Sequence, residues 1–300
     1  MTATVSSLGA ESTPISGTAL IIGCGYLGMR VARAWLAQGR TVTALTRSRA
    51  DELAGIGIVP ILGDVLNPST LRQLPQAETL LYAVGLDRRS GRSMREVYVD
   101  GLKNVLQAVQ QAGKLPRRWI AISSTSVYGQ SHGEVVTEES ATMPVDDSGQ
   151  VILEAEATLS QAVPGAVILR FAGIYGPGRL LRREALLAGQ PLIADPEKWL
   201  NLIHVADGVR AILAAEVHAR PGSIYNIADG TPVTRRDFYT YLAKLLNAPP
   251  AQFVWPPSNP VLIEEANRQI SVEKARRDLS FQPSYPSYRE GLPASLAESA

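Results

Sequence analysis

Three hundred residues, 45% of them hydrophobic, are enough for one large or two small domains with a real core. A formal net charge of +1 gives no electrostatic case for nucleic acid or a membrane surface, and no window approaches the roughly 18 uninterrupted apolar residues of a membrane span. One cysteine excludes an internal disulfide framework and suits a reducing, cytoplasmic setting; with only three scattered histidines, no metal site is expected.

Residues 1–17 carry no Lys or Arg and no continuous apolar run. They are expected to form a flexible leader rich in Ser and Thr rather than a secretory signal. From residue 18, short apolar runs of β type follow one another: 18–23, 41–46, 57–62, 79–84, 118–123 and 166–171, with a late one at 223–228. Helical patterns lie between them. Leu27, Val31, Ala34 and Trp35 make one apolar face, ended by Gly39 at a C-cap position, and Tyr98, Leu102, Val105, Leu106 and Val109 make another. Nearly continuous apolar strands alternating with helices predict an α/β fold, a doubly wound parallel sheet covered on both faces. The expected division is a doubly wound domain over 18–172, rejoined by 205–230, and a smaller lobe from 173–204 and 231–300, with 1–17 as the leader. Pro and Gly thicken in that lobe, as in "GIYGPGR" and "WPPSNP".

The stretch "LIIGCGYLGMR" (20–30) places Gly23, Gly25 and Gly28 between the first strand and the first helix. A Gly-x-Gly-x-x-Gly turn there suits a dinucleotide pyrophosphate. The first glycine makes the turn, the second lets backbone approach phosphate, the third allows close packing, and the N–H groups at Tyr26 and Leu27 open the helix as an anion site. At the end of the second strand, Thr46, Arg47, Ser48 and Arg49 stand where an NAD binder usually offers a carboxylate. A guanidinium with small hydroxyls suits a 2′-phosphate, so NADP is expected over NAD, with ordinary surface arginines as the competing reading. Asp64 and Val65 follow the third strand, where a carboxylate serves either an adenine amino group or the cap of the next turn. Cys24 inside the loop reads as a small filler, against a minority reading as a thiol activated by the helix N-terminus.

Taken together, "GCGYLG", "GDV", "SSTSVYG" (123–129), "LRFAGIYGPGR" (169–179), "LIHVADGVRAI" (202–212) and "YNIADG" (225–230) resemble the extended short-chain dehydrogenase/reductases, the NAD-dependent epimerase/dehydratase family. The resemblance implies a seven-stranded Rossmann sheet with a small substrate lobe. It implies that Ala83, Val84 and Gly85 line the nicotinamide-ribose side of the cofactor, that Ser123 lies near the nicotinamide, and that Ser124 matches the catalytic serine.

Two departures stand out. The family's redox members use a Tyr-x-x-x-Lys pair on the helix after "SSTSVYG"; here the "LEAE" register puts Ser148 and Ile152 at those positions, and no lysine lies between Leu115 and Glu197. Tyr128 and His204 are the candidate stand-ins, Tyr128 as acid/base and His204 at the substrate, each against a structural reading. Gly173 also stands where members acting on nucleotide sugars commonly carry Asn, although Arg179, with Arg182 and Arg183, remains able to meet an anionic substrate. The expected function is an atypical NADP-dependent oxidoreductase acting on a small molecule. The alternatives are a non-catalytic NADP(H) redox sensor or scaffold and a sugar-nucleotide epimerase or dehydratase. No nucleic-acid or membrane partner is expected, and a homodimer is left open.

Overall fold

In the computed structural model, which describes residues 17–113, 115–256 and 266–298, the first strand, β1 (Thr18–Ile22), buries four consecutive residues. Only a strand covered on both faces allows that. Ala19 and Ile21 point to one side and Leu20 and Ile22 to the other, as the two-residue period of a strand dictates.

β1 pairs in parallel with β2 (Thr41–Thr46) and β4 (Thr79–Tyr82). The sheet extends outward to β3 (Val59–Leu62) on one side, and to β5 (Arg118–Ser124), β7 (Val167–Phe171) and β12 (Ile224–Ile227) on the other. The order is β12-β7-β5-β4-β1-β2-β3, all parallel, so the winding direction reverses between β1 and β4. In sheets of this kind the reversal opens a crevice at the strands' carboxyl ends.

Helices α1 (Tyr26–Ala37) and α6 (Val205–His218) cover one face, with Val31, Ala32 and Trp35 packed beside Ala211, Ile212 and Ala215. Helices α3 (Gly101–Gln111) and α4 (Asp147–Ala162) cover the other through Leu102, Val105, Leu106, Val109 and Leu159. Trp35, Arg40 and Thr79 all bond the buried Glu216, tying α1, the start of β2, β4 and α6 into one unit. Helix α2 (Ala50–Gly55) joins β2 to β3.

Around this sheet lie four two-stranded pairs. They are β8 (Gly173–Tyr175) with β11 (Leu202–His204), β6 (Glu134–Val136) with β15 (Arg268–Ile270), β9 (Leu192–Ile193) with β14 (Phe253–Val254), and β10 (Trp199–Leu200) antiparallel to β13 (Val233–Thr234). A separate core of Tyr175, Leu186, Leu202, Phe238, Leu242, Tyr288 and Leu292 joins β8 and β11 to α5 (Arg183–Leu187), α7 (Arg235–Leu245) and α9 (Tyr288–Ala297).

Some boundaries differ from the sequence expectation. β3 begins at Val59 because Gly57, at φ +88°, still belongs to the turn. The helix expected over 148–159 runs Asp147–Ala162, its first turn capped by the Asp146 side chain accepting from the Gly149 N–H. α8 (Glu273–Leu279) falls within the expected substrate lobe, yet Ala275 and Leu279 pack into the sheet's core beside α6. The expected leader lies outside the described residues, apart from Gly17.

Candidate functional site

The carboxyl ends of β1, β2, β4 and β5 surround a cleft of about 730 Å³. Its floor is the glycine turn, and each glycine is there for a different reason. Gly23 sits at φ +99°, and a Cβ on it would lie 2.4 Å from the Ala83 carbonyl carbon, inside the neighbouring strand's backbone. A Cβ on Gly28 would lie 2.4 Å from the Gly23 carbonyl oxygen, so the third glycine lets α1 rest against the turn. Around Gly25 a Cβ would meet no protein atom within 4 Å; the space in front of it is the cleft.

Gly25 is also the N-cap of α1, which has no side-chain cap and no acidic residue in its first turn. The first N–H groups of a 12-residue helix therefore present their partial positive charge without a competing side chain. Room for backbone approach and an uncapped helix start fit the pyrophosphate of a dinucleotide.

Every residue expected to touch cofactor lines this cleft except Gly28, which lies beneath it: Gly23, Gly25, Tyr26, Leu27, Thr46, Arg47, Ser48, Asp64, Val65, Ala83, Val84, Gly85 and Ser123. At the end of β2, Arg49 is engaged by Glu52 at 2.6 Å through two bonds and by the Cys24 carbonyl at 3.1 Å. Arg47 is more than half exposed, and its nearest counter-charge is Asp87 at 3.7 Å. Asp64 accepts the Leu66 N–H at 2.9 Å, the turn-capping role, while still facing the cleft. Cys24 is buried, and burial pushes its thiol up to about 11 against the pull of Arg49, so it is not an activated thiol.

Ser123 and Ser124 end β5 at the cleft. Ser123 donates to Glu156 at 2.5 Å, and Glu156 is in turn held by Arg170 through bonds of 2.9 and 2.7 Å in a buried ion pair. Ser124 accepts the Ser126 N–H at 3.1 Å, which leaves its own proton for the cleft. Ile152 lines the cleft beside these serines, and the exposed Ser148 does not. An apolar side chain thus occupies the place where the lysine of a tyrosine–lysine pair was sought.

Tyr128 and His204 are not brought to the cleft. Tyr128 is fully buried, donating to Asn226 Oδ1 at 2.9 Å and accepting from Arg170 at 2.9 Å, and burial raises its pKa; it is a strut beneath β7 and β12, not an acid/base at the surface of the cleft. His204 caps α6 by accepting the Ala206 N–H at 3.3 Å through Nδ1, and its ring packs on Tyr285 and Tyr175 at centroid distances of 4.1 and 5.4 Å. Burial lowers its pKa, and it lies outside the cleft lining. Of the three arginines after β8, only Arg179 lines the cleft, its guanidinium 5.4 Å from the Tyr26 ring centroid. Gly173 is exposed at the start of β8, and a Cβ there would lie 3.2 Å from the Asn201 carbonyl oxygen, a close contact that a small shift relieves.

Sequence reasoning missed part of the lining. Leu86, Asp87, Ser90 and Arg92 come from the loop after β4, whose charge-rich "LDRRSGR" was the available signal. Tyr98 also reaches the cleft, although its place in a helical apolar pattern reads as core. Among the described residues no cluster of three His, Cys, Asp or Glu could hold a metal ion, and no helix is long and apolar enough to cross a membrane.

A parallel seven-stranded sheet with a glycine-floored cleft at its switch point defines a Rossmann-type nucleotide-binding protein. The model of the NAD dependent epimerase/dehydratase family matches residues 19–228, and the chain belongs to that family. It is 32% identical over 275 residues to protein YeeZ of Escherichia coli K12, covering 89% of this chain and 95% of that one. It is 26% identical to the 3-diazoavenalumate denitrifying reductase of a Streptomyces species, with 89% and 96% covered. The solved complex of MoeE5 with UDP-glucose and NAD superposes with a TM-score of 0.77 at 25% identity, covering 94% of this chain and 98% of that one.

Proposed function

We propose that this chain is an atypical NADP-dependent oxidoreductase that reduces a small carbonyl-type substrate. The observation that carries the NADP assignment is the end of β2. Thr46, Arg47 and Ser48 line the cleft there, and no carboxylate occurs between Leu45 and Arg49 to grip a free ribose 2′-hydroxyl. Arg47 has a planar fork of donors, and its ion pair with Asp87 is long, at 3.7 Å, and exposed, so the guanidinium is able to turn to a 2′-phosphate.

A nicotinamide bound in this cleft would supply the hydride. The protein's part is to bind and orient. The α1 N-terminus and Gly25 hold the pyrophosphate, Ala83 to Gly85 receive the ribose, and Ser124 offers its hydroxyl proton to a substrate oxygen. Arg92 and Arg179 add positive charge to the lining, which favours a substrate carrying an anionic group. The relationship to a named reductase supports net reduction over sugar-nucleotide epimerisation.

Ile152 in the cleft wall favours a second reading, a protein that binds NADP(H) without turnover. Following NADPH consumption across a panel of aldehydes, ketones and quinones separates the two. Consumption above the protein-free rate, reduced by Ser124→Ala, supports the oxidoreductase. Bound NADPH with no consumption across the panel supports the sensor.

A further inference from the structure

Five tyrosines lie in or near the candidate site, and they differ in what their protons are doing. Tyr26 donates to the Pro177 carbonyl at 3.0 Å, Tyr128 to Asn226 at 2.9 Å and Tyr175 to the Ser287 carbonyl at 3.4 Å. Tyr82 is buried behind the cleft wall and has no hydrogen-bond partner among the described residues. Tyr98 alone both lines the cleft and accepts a hydrogen bond: its oxygen takes the Leu86 N–H at 3.2 Å, and among the described residues its proton is given to no acceptor.

We propose that Tyr98 is the proton-donating phenol of this cleft, doing the work that Ser148 and Ile152 cannot. The proposal rests on the oxidoreductase reading above and assigns the acid within it.

Three further observations place Tyr98 for this role. It is half-buried in the wall that separates the cleft from a second cavity of about 30 Å³, a wall it shares with Ile122, Ser123 and Ile152. Tyr98 therefore shares a wall with Ser123, the residue before Ser124 at the end of β5, and both Tyr98 and Ser124 line the same cleft. It is carried on a single π-helical turn, Glu96–Asp100, that precedes α3 and buries Val97 and Val99 on either side of it. Such turns change the direction of one side chain without breaking the helix, and they are frequent at functional sites. Finally, the small cavity behind it is lined mostly by apolar side chains, among them Leu102, Ile122, Ile152 and Leu159, so Tyr98 stands between an apolar pocket and the open cleft.

The chemistry balances with the reduced nicotinamide as the only co-reactant. The carbonyl π bond breaks, its carbon takes the hydride, and its oxygen takes the Tyr98 proton. The phenolate left behind is stabilised by the Leu86 N–H and recovers a proton from solvent. Serine, as an alcohol, is far too weak an acid for this step; a phenol is a much better one.

The test uses the full chain with its tyrosines labelled with carbon-13 at Cζ, and reads the spectrum free, with NADP⁺ and with NADPH at neutral pH. Tyr98→Phe identifies the Tyr98 resonance. A phenol beside the nicotinamide senses its change of charge, so the Tyr98 signal is expected to differ between the NADP⁺ and NADPH complexes while those of Tyr128 and Tyr175 do not. The same variant is expected to hold NADPH within about twofold of wild type, because a contact made to the reacting oxygen adds little to cofactor binding. A Tyr98 signal identical in the two complexes, with NADPH still bound, overturns this assignment and leaves the cofactor site intact. Failure of the wild-type chain to bind either form overturns both.

Discussion

The Ser123 hydroxyl donates to the Glu156 carboxylate at 2.5 Å, one helical turn beyond Ile152 on α4. Arg170 from β7 closes the arrangement from below. The polar chain thus runs from the cleft into the core, through the buried Arg170 to Tyr128 and Asn226, while Ile152, one turn nearer the helix start, presents an apolar side chain to the cleft. Ser123 is committed to structure, and Ser124 is the serine left to meet substrate.

Because Glu156 neutralises a guanidinium that is almost wholly buried, Glu156→Gln should destabilise the fold by about 3 kcal/mol, the cost of leaving a buried charge unpaired. Replacing both partners, Glu156→Leu with Arg170→Met, should recover a large part of that loss. Urea unfolding of the three variants measures it. A Glu156→Gln variant as stable as wild type would contradict the burial of the pair.

The glycines of the turn should fail in different ways. Gly25→Val points its side chain into the cleft and meets no protein atom, so the melting temperature should stay close to wild type while NADPH affinity drops at least ~100-fold. Gly23→Ala combines positive φ with a clash against β4 backbone and should cost more than about 2 kcal/mol of stability. Thermal melts and cofactor titrations on both proteins check the contrast.

Much of this was legible in the sequence, and for identifiable reasons. Strands buried on both faces write themselves as unbroken apolar runs, and the glycine spacing is dictated by backbone geometry rather than by distant contacts, so β1, the turn and α1 could be read directly. The end of β2 was similarly local. Tyr128 and His204 misled because a polar side chain near a motif looks the same whether it faces a cleft or a core; only the partners, Asn226 and Arg170 for one and the Ala206 N–H for the other, decide it. Tyr98 was hidden for the converse reason. Its spacing matches the apolar face of α3, but the π-helical turn shifts it to the cleft wall.

Asp229 offers a pH dependence. Its Oδ1 accepts the Thr231 N–H at 2.8 Å, but its Oδ2 is buried without a partner, and burial pushes the carboxyl up to about 7. The folded value lies above the unfolded one of about 3.9, so the native state holds this proton where the unfolded state has lost it. The stability it contributes is full below about pH 4 and is lost as pH rises through 7. Asp229→Asn keeps the Thr231 bond and cannot ionise, so its stability relative to wild type should rise between pH 5 and 8, as read by urea unfolding at each pH. A difference that stays constant would show that Asp229 ionises freely.

At the end of β2, Arg47→Asp should lower the preference for NADPH over NADH by at least ~10-fold, one charge-assisted phosphate contact, with little change in melting temperature because the side chain is exposed. An unchanged ratio would remove Arg47 from the cofactor site.

The measurement that bears most directly on the whole account is a fluorescence titration of the wild-type chain with NADPH and, separately, with NADH. The cleft geometry and the arginine at the end of β2 predict saturable binding of both, with NADPH clearly the tighter. Equal affinities, or tighter NADH, would contradict the NADP assignment, and binding of neither would contradict the reading of the glycine cleft as a working cofactor site.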